Sequence, residues 1–370
     1  MSAGNARDNN WRHLDVSLVA AVLSIAAIGL IMVYSATSQK TTDPRFYLKR
    51  QLVFVAAGLG IMVLTATVDY RVYRDFAPFV YLGTVAGLGL VVSPVGASSK
   101  GHQAWFALGT FQLQPSEISK MALILVLAAY IGAHRESELN LRRLITAVIL
   151  AGVPMALIML QPDIGTDLVF GCILAAALLI GGAKPRHLAV LGVVAVLGVA
   201  GVLKSGVMQR YQVQRLTAFL DPASSGQAST YNLNQSKIAI GAGGLTGTGL
   251  GRGLQTKLSF VPEQHTDFVF TVVGEELGFV GSSLLLLLFG FVLWRIWRAA
   301  MLAKDATGTL ICVGVLTLLA FQVFENVGMT MGIMPITGIP LPFVSYGGSA
   351  IVAYFLGIGL VLNVHMRRFS

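Results

Sequence analysis

The stretch GSSLLLLLFGFVLWRIWR, residues 281–298, is an apolar run that ends in two tryptophans and two arginines. All but its last two residues belong to a longer apolar segment, residues 268–296. An α-helix needs roughly 20 apolar residues to cross the hydrocarbon core of a bilayer. Tryptophan and arginine beside such a run are typical of the membrane–water interface. The stretch therefore predicts a transmembrane helix.

The rest of the chain repeats this pattern. Of its 370 residues, 55% are hydrophobic and only 12% are charged, whereas soluble domains carry about 25% charged residues. The other apolar segments lie at 17–36, 51–68, 76–96, 118–134, 142–160, 165–183, 187–204, 308–331 and 344–364. Spanning segments must satisfy their own backbone hydrogen bonds. We therefore expect an all-α polytopic membrane protein with about ten transmembrane helices, forming a single integral membrane domain over residues 1–370.

The distribution of basic residues predicts the orientation. If the N-terminus is cytoplasmic, the tails and the short inner loops hold fourteen of the 26 Lys and Arg residues: Arg7, Arg12, Arg71, Arg74, Arg135, Arg142, Arg143, Lys184, Arg186, Arg295, Arg298, Lys304, Arg367 and Arg368. This agrees with the positive-inside rule. Both termini are then expected in the cytoplasm, and the net charge of +9 does not call for a nucleic-acid partner.

One long extracytoplasmic segment, residues 204–267, is expected between predicted helices 7 and 8. Within it, YQVQRLTAFLDP reads as an amphipathic helix and YNLNQSKIAI as another short helix. GAGGLTGTGLGRG follows, with seven glycines between Gly241 and Gly253. Its spacing matches neither glycine-rich nucleotide-binding motif. A flexible or tightly turned connector is therefore favoured.

Polar residues inside predicted spans are functional candidates, because burying charge in lipid is costly. Glu117 and Lys120 in QPSEISK are three residues apart and share one helix face. They form either a structural ion pair or part of a substrate site. Asp163 in QPDIGTD is favoured as an N-cap. Glu325 and Asn326 are expected to face the bundle interior.

The segment TGIPLPFVSYGGSA, residues 337–350, breaks the helical pattern beside an apolar span. It contains Gly338, Pro340 and Pro342, and a glycine pair follows. Irregular backbone at membrane depth is tolerated only where it is buried in protein or lines a cavity. The segment is therefore predicted to form a cavity wall, with a simple hairpin as the alternative.

The stretch FVPEQHTDFVF, residues 260–270, places Glu263, His265 and Asp267 at the start of a predicted span. Three interpretations are open. The residues could bind a metal, although one histidine and two carboxylates without a second cluster is a weak signal. Asp267 or Thr266 could cap the helix. Alternatively, Asp267 could accept a proton in a reaction at the membrane surface.

Five motifs in order resemble the SEDS family (shape, elongation, division and sporulation) of bacterial cell-wall proteins. They are QPSEISK, QPDIGTDLV, NQSKIAIGAGGLTGTGL, FVPEQHTDFVFTVVGEELGFVG and PLPFVSYGGSA, and the similarity covers nearly the whole chain. The form of the glycine motif is closest to the elongation member. The resemblance implies a peptidoglycan glycosyltransferase in the bacterial inner membrane that polymerises lipid II and releases undecaprenyl diphosphate. A lipid II flippase is the alternative.

The resemblance also implies roles for individual residues. Asp267 corresponds to the essential aspartate of the family and is expected to be the general base. The expected substrate-binding residues are Arg50, Glu117, Lys120, Asp163, Arg210, Arg215, Lys237, His265 and Ser345. No cofactor is certain, although a divalent cation fits an anionic leaving group.

The partners implied by the resemblance are a class B penicillin-binding protein, which supplies the transpeptidase, and other membrane proteins of the elongation complex. A transpeptidase signature such as S-x-x-K with K-T-G is missing from this sequence. In one place the chain departs from the family: Ala104 precedes Trp105 where a basic residue is common. Lys100 or His102 would have to replace that cation.

Overall fold

The computed structural model describes residues 11–38, 43–94, 96–99, 102–109, 111–133, 139–204 and 227–369. The described residues contain twelve α-helices: α1 (Val16–Thr37), α2 (Phe46–Thr67), α3 (Tyr70–Val92), α4 (Pro115–Gly132), α5 (Leu141–Met159), α6 (Ile164–Ile180), α7 (Pro185–Lys204), α8 (Gln227–Gly243), α9 (Leu254–Lys257), α10 (Val269–Met301), α11 (Ala306–Met331) and α12 (Gly348–Met366). A short 3-10 helix, Trp11–His13, precedes α1.

All ten predicted spans coincide with helices, namely α1–α7 and α10–α12. Among the described residues, eight helices are long and apolar enough to cross a membrane. The other two contain shorter apolar helices, Ile164–Ile180 and Pro185–Val194. The prediction of a mainly helical multi-pass membrane protein is therefore confirmed. The short helix expected at YNLNQSKIAI is also present, within α8.

A small antiparallel sheet between α3 and α4 was not predicted. Its strands are β1 (Ala97–Ser99), β2 (His102–Leu108) and β3 (Phe111–Leu113), in the order β1-β2-β3. This connection lies between two apolar spans, and its residues pair with each other in antiparallel register, while Ser349 of α12 donates to the Gln112 carbonyl of β3 at 3.2 Å. Gly109 follows β2 with φ of +64°, a conformation that glycine adopts without steric cost. The all-α expectation therefore needs this local correction.

The bundle core is formed by α4, α11 and α12, whose side chains are mostly buried. Small residues let the helices approach closely, as is usual in membrane bundles. A Cβ added to Gly58 of α2 would lie 2.4 Å from the Phe355 ring, and one on Gly359 of α12 would lie 2.7 Å from the Met62 carbonyl oxygen. The contact between α2 and α12 therefore depends on these two glycines.

Helix α10 has a kink at Gly278, where φ is +64° and ψ is −162°. The glycine-rich connector after α8 supplies the hydrogen bonds that the kink removes. The amides of Phe279 and Val280 donate to the carbonyls of Gly244 and Leu245, at 2.9 and 3.0 Å. In return, the amides of Thr248 and Gly249 donate to the carbonyls of Glu275 and Glu276, at 3.0 and 3.1 Å.

The connector needs glycine because it lies against this backbone. Gly247 has φ of +82°, and a Cβ there would lie 2.1 Å from the Glu276 carbonyl oxygen. A Cβ on Gly243 would lie 1.9 Å from the Gly274 carbonyl oxygen. The glycine motif is therefore a tightly turned connector, the second of the two forms that the sequence left open.

Candidate active site at one end of the bundle

The irregular segment between α11 and α12 is buried in protein. Gly29 of α1 allows this approach, because a Cβ there would lie 2.6 Å from the Phe343 carbonyl oxygen. The side chain of Gln51 on α2 donates to the Ser345 carbonyl at 3.0 Å. Phe343 is buried with φ of +62°, a conformation that costs energy for a residue other than glycine. The segment thus meets the requirement for irregular backbone inside a membrane protein.

Asp267 lies immediately before α10 and is half-buried. The N-cap of α10 is Phe268, and it makes no side-chain capping bond. The Thr266 hydroxyl donates back to the Glu263 carbonyl at 3.2 Å. The capping interpretation of Asp267 and Thr266 is therefore wrong. The Asp267 carboxylate does not cap the start of α10.

Three consecutive carbonyls around Asp267 accept hydrogen bonds from distant parts of the chain. The Tyr346 amide donates to His265 O at 2.8 Å, and Ser345 Oγ donates to Thr266 O at 2.5 Å. Asn326 Nδ2 on α11 donates to Asp267 O at 2.7 Å. The backbone that carries the carboxylate is therefore fixed by both α11 and the irregular segment. This arrangement fixes the backbone position from which the Asp267 side chain extends, and a fixed position is what a catalytic group requires.

A second set of contacts fixes the same loop from the other side. Gln264 is buried, and its Nε2 donates to Ala36 O of α1 and to Thr256 O. Phe268 packs in a small separate core with Leu233 and Val261, to which Met329 and Ile336 also belong. Helices α1, α8 and α11 thus meet around the loop that contains Asp267.

Glu275 stabilises the short helix α9 beside this loop. Its carboxylate accepts the Gln255 and Thr256 amides at 2.8 and 2.9 Å, and the Thr256 hydroxyl at 2.6 Å. A carboxylate at a helix N-terminus satisfies amides that otherwise have no partner in the helix. The neighbouring Glu276 accepts the Ser35 hydroxyl at 2.5 Å, which ties α10 to α1.

Aromatic rings line one side of the site. His265 packs against Tyr47 and Tyr346, with ring centroids 5.1 and 5.7 Å apart. The positive charge of Arg50, on α2, lies close enough to Tyr346 to interact with its phenol. The structure therefore brings Arg50 and His265, both predicted from sequence, to the same side as Asp267. Tyr47 and Gln51 were not predicted, and only their position one α-helical turn from each other could have indicated them.

The side chains of Glu263, His265 and Asp267 do not form a three-ligand metal site. His265 is directed into the aromatic cluster, and Glu263 has φ of +54° in a turn. Within the described residues, no group of three or more His, Cys, Asp or Glu residues could hold a metal ion. The described residues therefore do not assemble a three-ligand protein site, and no chemical step is assigned to a metal ion.

Glu117 and Lys120 form an ion pair at the start of α4. Lys120 Nζ lies 2.8 Å from Glu117 Oε1, and both side chains are at most 4% exposed. The second oxygen of Glu117 has no hydrogen-bond partner among the described residues. A buried carboxylate with an unused oxygen can accept a ligand hydroxyl, so the pairing agrees with either of the predicted roles.

Asp163 caps α6, as its sequence position favours. Its carboxylate accepts the Thr166 amide at 3.0 Å and the Thr166 hydroxyl at 2.7 Å. Glu325 and Asn326 are fully buried, as predicted, and Glu325 accepts the Thr337 hydroxyl at 3.0 Å. These contacts give Asp163 and Glu325 structural roles, while the substrate-binding role of Asp163 stays a prediction.

Other predicted site residues have different positions. Lys237 belongs to α8, and its Nζ lies beside the C-terminus of α11, where a Cβ on Gly332 would be 2.6 Å from it; the carbonyl end of a helix favours such a cation. Ser345 is buried and uses its hydroxyl for two backbone contacts, accepting from Leu341 N and donating to Thr266 O. Ala104 is buried in β2. Arg210, Arg215, Lys100 and the predicted helix YQVQRLTAFLDP lie outside the described residues.

The fold and the site together define a helical multi-pass membrane protein with an aspartate on a hydrogen-bonded loop at one end of its bundle. The sequence model of the FtsW/RodA/SpoVE family, described as "Cell cycle protein", matches residues 16–369. The chain therefore belongs to this family, which is the SEDS family expected from its motifs.

Curated relatives align over almost the entire chain. Stage V sporulation protein E of Bacillus subtilis is 37% identical over 356 residues, covering 95% of this chain and 96% of the relative. Peptidoglycan glycosyltransferase MrdB of Escherichia coli K12 is 38% identical over 357 residues, covering 96% and 94%.

Solved structures have the same fold. A chain from a study of how a peptidoglycan synthase complex coordinates polymerization and crosslinking superimposes with a TM-score of 0.83. It is 31% identical, and the match covers 96% of this chain and 99% of the other. Thermus thermophilus RodA gives a TM-score of 0.73 at 31% identity, covering 98% and 99%.

Proposed function

We infer that this chain is a peptidoglycan glycosyltransferase. Its relatives include proteins named for this activity and for rod shape, and its fold is that of a subunit in a peptidoglycan synthase complex. The observation that carries the assignment to a site is the position of Asp267, whose backbone is held by Tyr346, Ser345 and Asn326. The substrate is lipid II, and the product is a β-1,4-linked glycan strand.

In the proposed reaction, Asp267 is the general base. Its carboxylate takes the proton from the 4-hydroxyl of the acceptor sugar, and the resulting oxygen attacks the anomeric carbon of the donor. The bond from that carbon to the diphosphate breaks, so undecaprenyl diphosphate leaves with its electron pair. One displacement inverts the α-linked donor into a β-linked product. Arg50 is the proposed cation for the diphosphate charge, a role supported by its interaction with Tyr346, whose amide donates to the His265 carbonyl beside Asp267.

The proposed location is the bacterial inner membrane, with Asp267 on the extracytoplasmic face. The positive-inside distribution of arginine supports this orientation, because Arg295 and Arg298 lie at the opposite end of α10 from Asp267. The proposed partner is a class B penicillin-binding protein. The chain would polymerise glycan, and that partner would crosslink the peptides.

A polymerisation assay tests this function against the flippase alternative. Purified chain, with and without the transpeptidase partner, is incubated with labelled lipid II, and the products are separated on a gel. We expect a ladder of glycan strands, because the site contains a base and a cation for transfer. Transport of lipid II across vesicles without any ladder under either condition would favour the flippase.

Replacing Asn326 with alanine is expected to lower kcat with little change in KM. The variant removes the donor to Asp267 O and to Ile339 O, so the carboxylate is no longer held in place for proton transfer. Leaving the buried carbonyls unsatisfied costs about 1–3 kcal/mol of folding free energy. Steady-state kinetics and thermal unfolding measure the two effects.

Asn363→Ala is the matched control. Asn363 is equally buried, donates to Thr65 O at 2.7 Å and accepts the Tyr70 amide at 3.0 Å, but it lies at the opposite end of the bundle. We expect it to reduce stability and leave kcat of the folded protein unchanged. If both variants lose activity only in proportion to their unfolded fraction, Asn326 has no positioning role.

A further inference from the structure

The segment Gly244–Leu258, here called the leucine segment, follows α8, contains the short helix α9 and exposes large apolar side chains although it lies outside the predicted spans. Leu245 is 72% exposed, Leu254 is 64% exposed, and Leu250 and Leu258 are each more than half exposed. Connecting loops in water rarely expose several leucines side by side, and an exposed apolar patch of this kind indicates a contact surface.

The depth of this segment in the membrane can be measured along α1 and α10, which contact each other near both ends. At one end, Asp15 before α1 pairs with Arg295 of α10 at 2.6 Å. At the other end, Ser35 of α1 donates to Glu276 of α10 at 2.5 Å. The two contacts are about 20 residues apart on each helix, which is roughly 30 Å at the α-helical rise. This equals the hydrocarbon thickness of about 30 Å.

The end with Asp15 and Arg295 lies at a membrane surface. Trp294 and Trp297 are about half exposed there, and the guanidinium of Arg298 is 5.3 Å from the Trp294 ring centroid. Tryptophan and arginine together are typical of the interfacial belt. Burial opposes ionisation of Asp15, but hydrogen bonds from Ser17 and Arg295 lower its pKa, so it remains charged at that surface.

Leu245 lies closer to this surface than a full hydrocarbon thickness. Its carbonyl accepts the Val280 amide at 3.0 Å. Val280 is about 15 residues from Arg295 along α10, which is roughly 22 Å at the helical rise. A tilt of α10, or a position of Arg295 outside the hydrocarbon boundary in the headgroup region, places Leu245 deeper still. The leucine segment therefore starts several ångströms inside the leaflet at the Asp267 end.

The chemistry of the segment agrees with this depth. Phe279 and Val280, which donate to it, are themselves more than half exposed on the lipid-facing side of α10. Leu254 and Leu258 are one turn apart and lie on the same face, while Arg252 and Lys257 are exposed nearby. Leucines with adjacent basic residues are the pattern of an element seated at the boundary between acyl chains and phosphate headgroups.

We propose that the leucine segment is a membrane-inserted element whose leucines contact the acyl chains of bilayer lipid in the leaflet at the Asp267 end. Backbone groups of this segment form hydrogen bonds with the backbone at the kink of α10, and two amides of α9 donate to Glu275. Irregular backbone at this depth requires such partners. The site at Asp267 is then joined directly to an element embedded in lipid. This placement is independent of the reaction proposed for Asp267.

Fluorescence quenching in proteoliposomes tests the proposal. Single cysteines are introduced at Leu245, Leu254 and Leu258 in a chain whose Cys172 and Cys312 are replaced by alanine, and each is labelled with a small fluorophore. Quenching by lipids brominated on the acyl chains is compared with quenching by aqueous iodide. Arg252→Cys, in the same segment, is the matched control, and Leu287→Cys in the middle of α10 is the lipid-exposed reference.

We expect brominated lipid to quench the three leucine positions several-fold more than Arg252, at a level near that of Leu287, and iodide to show the reverse order. Iodide quenching of all three leucine positions as strong as that of Arg252 would overturn the proposal. Because Leu245 packs at the kink, its variant could unfold. Leu254 and Leu258 are therefore scored separately, each on protein with a wild-type thermal transition.

Discussion

The Asp267→Asn variant is expected to fold normally and to lose at least about a hundredfold in glycan polymerisation rate, since general-base catalysis typically contributes 10²–10⁴. Asparagine has nearly the same shape but cannot accept the proton of the acceptor hydroxyl. The hydrogen bonds that hold this loop go to backbone carbonyls of residues 265–267. They do not depend on the side chain, so the backbone is expected to stay in place.

The measurement is the initial rate of strand formation from labelled lipid II, together with binding to the transpeptidase partner. Asp43→Asn is the matched control, because Asp43 is an exposed acid at the same end of the bundle and pairs with Lys49 at 2.9 Å. We expect its rate to stay within a few-fold of wild type. A ladder from Asp267→Asn equal to that of Asp43→Asn would remove Asp267 from the mechanism.

Lys120→Met is expected to be the most destabilising single replacement of a charged residue in the bundle. Its ammonium group pairs with Glu117 at 2.8 Å, and both side chains are almost completely buried. Removing one partner of a buried ion pair leaves an uncompensated charge, which costs about 3–5 kcal/mol of folding free energy. Thermal unfolding in detergent of Lys120→Met against wild type measures this loss.

The double variant Glu117→Leu with Lys120→Met separates the two roles left open for this pair. Replacing a whole buried pair with apolar residues is often neutral or stabilising, so the double variant is expected to regain most of the stability. If it folds and polymerises lipid II normally, the pair is structural. A stable double variant without activity shows that substrate needs these side chains, and a double variant as unstable as Lys120→Met would contradict the ion-pair argument.

The sequence by itself determined the features that depend on neighbouring residues. The ten helices at the predicted spans follow from apolar segments of sufficient length, because spanning lipid is a property of each segment alone. The ion pair of Glu117 with Lys120 and the cap formed by Asp163 were foreseen because both involve residues three positions apart. Most of the fold could be predicted in this way.

The tertiary structure alone decided how the site is assembled. Asn326 and Asp267 are 59 residues apart, and Ser345 and Thr266 are 79 apart, so no local pattern indicates that they meet. The same holds for Glu275, which caps α9 twenty residues away, and for Lys237 on α8, whose ammonium group reaches the C-terminus of α11. The physical reason is that hydrophobic length sets each helix locally, whereas buried polar groups find their partners only after the helices have packed.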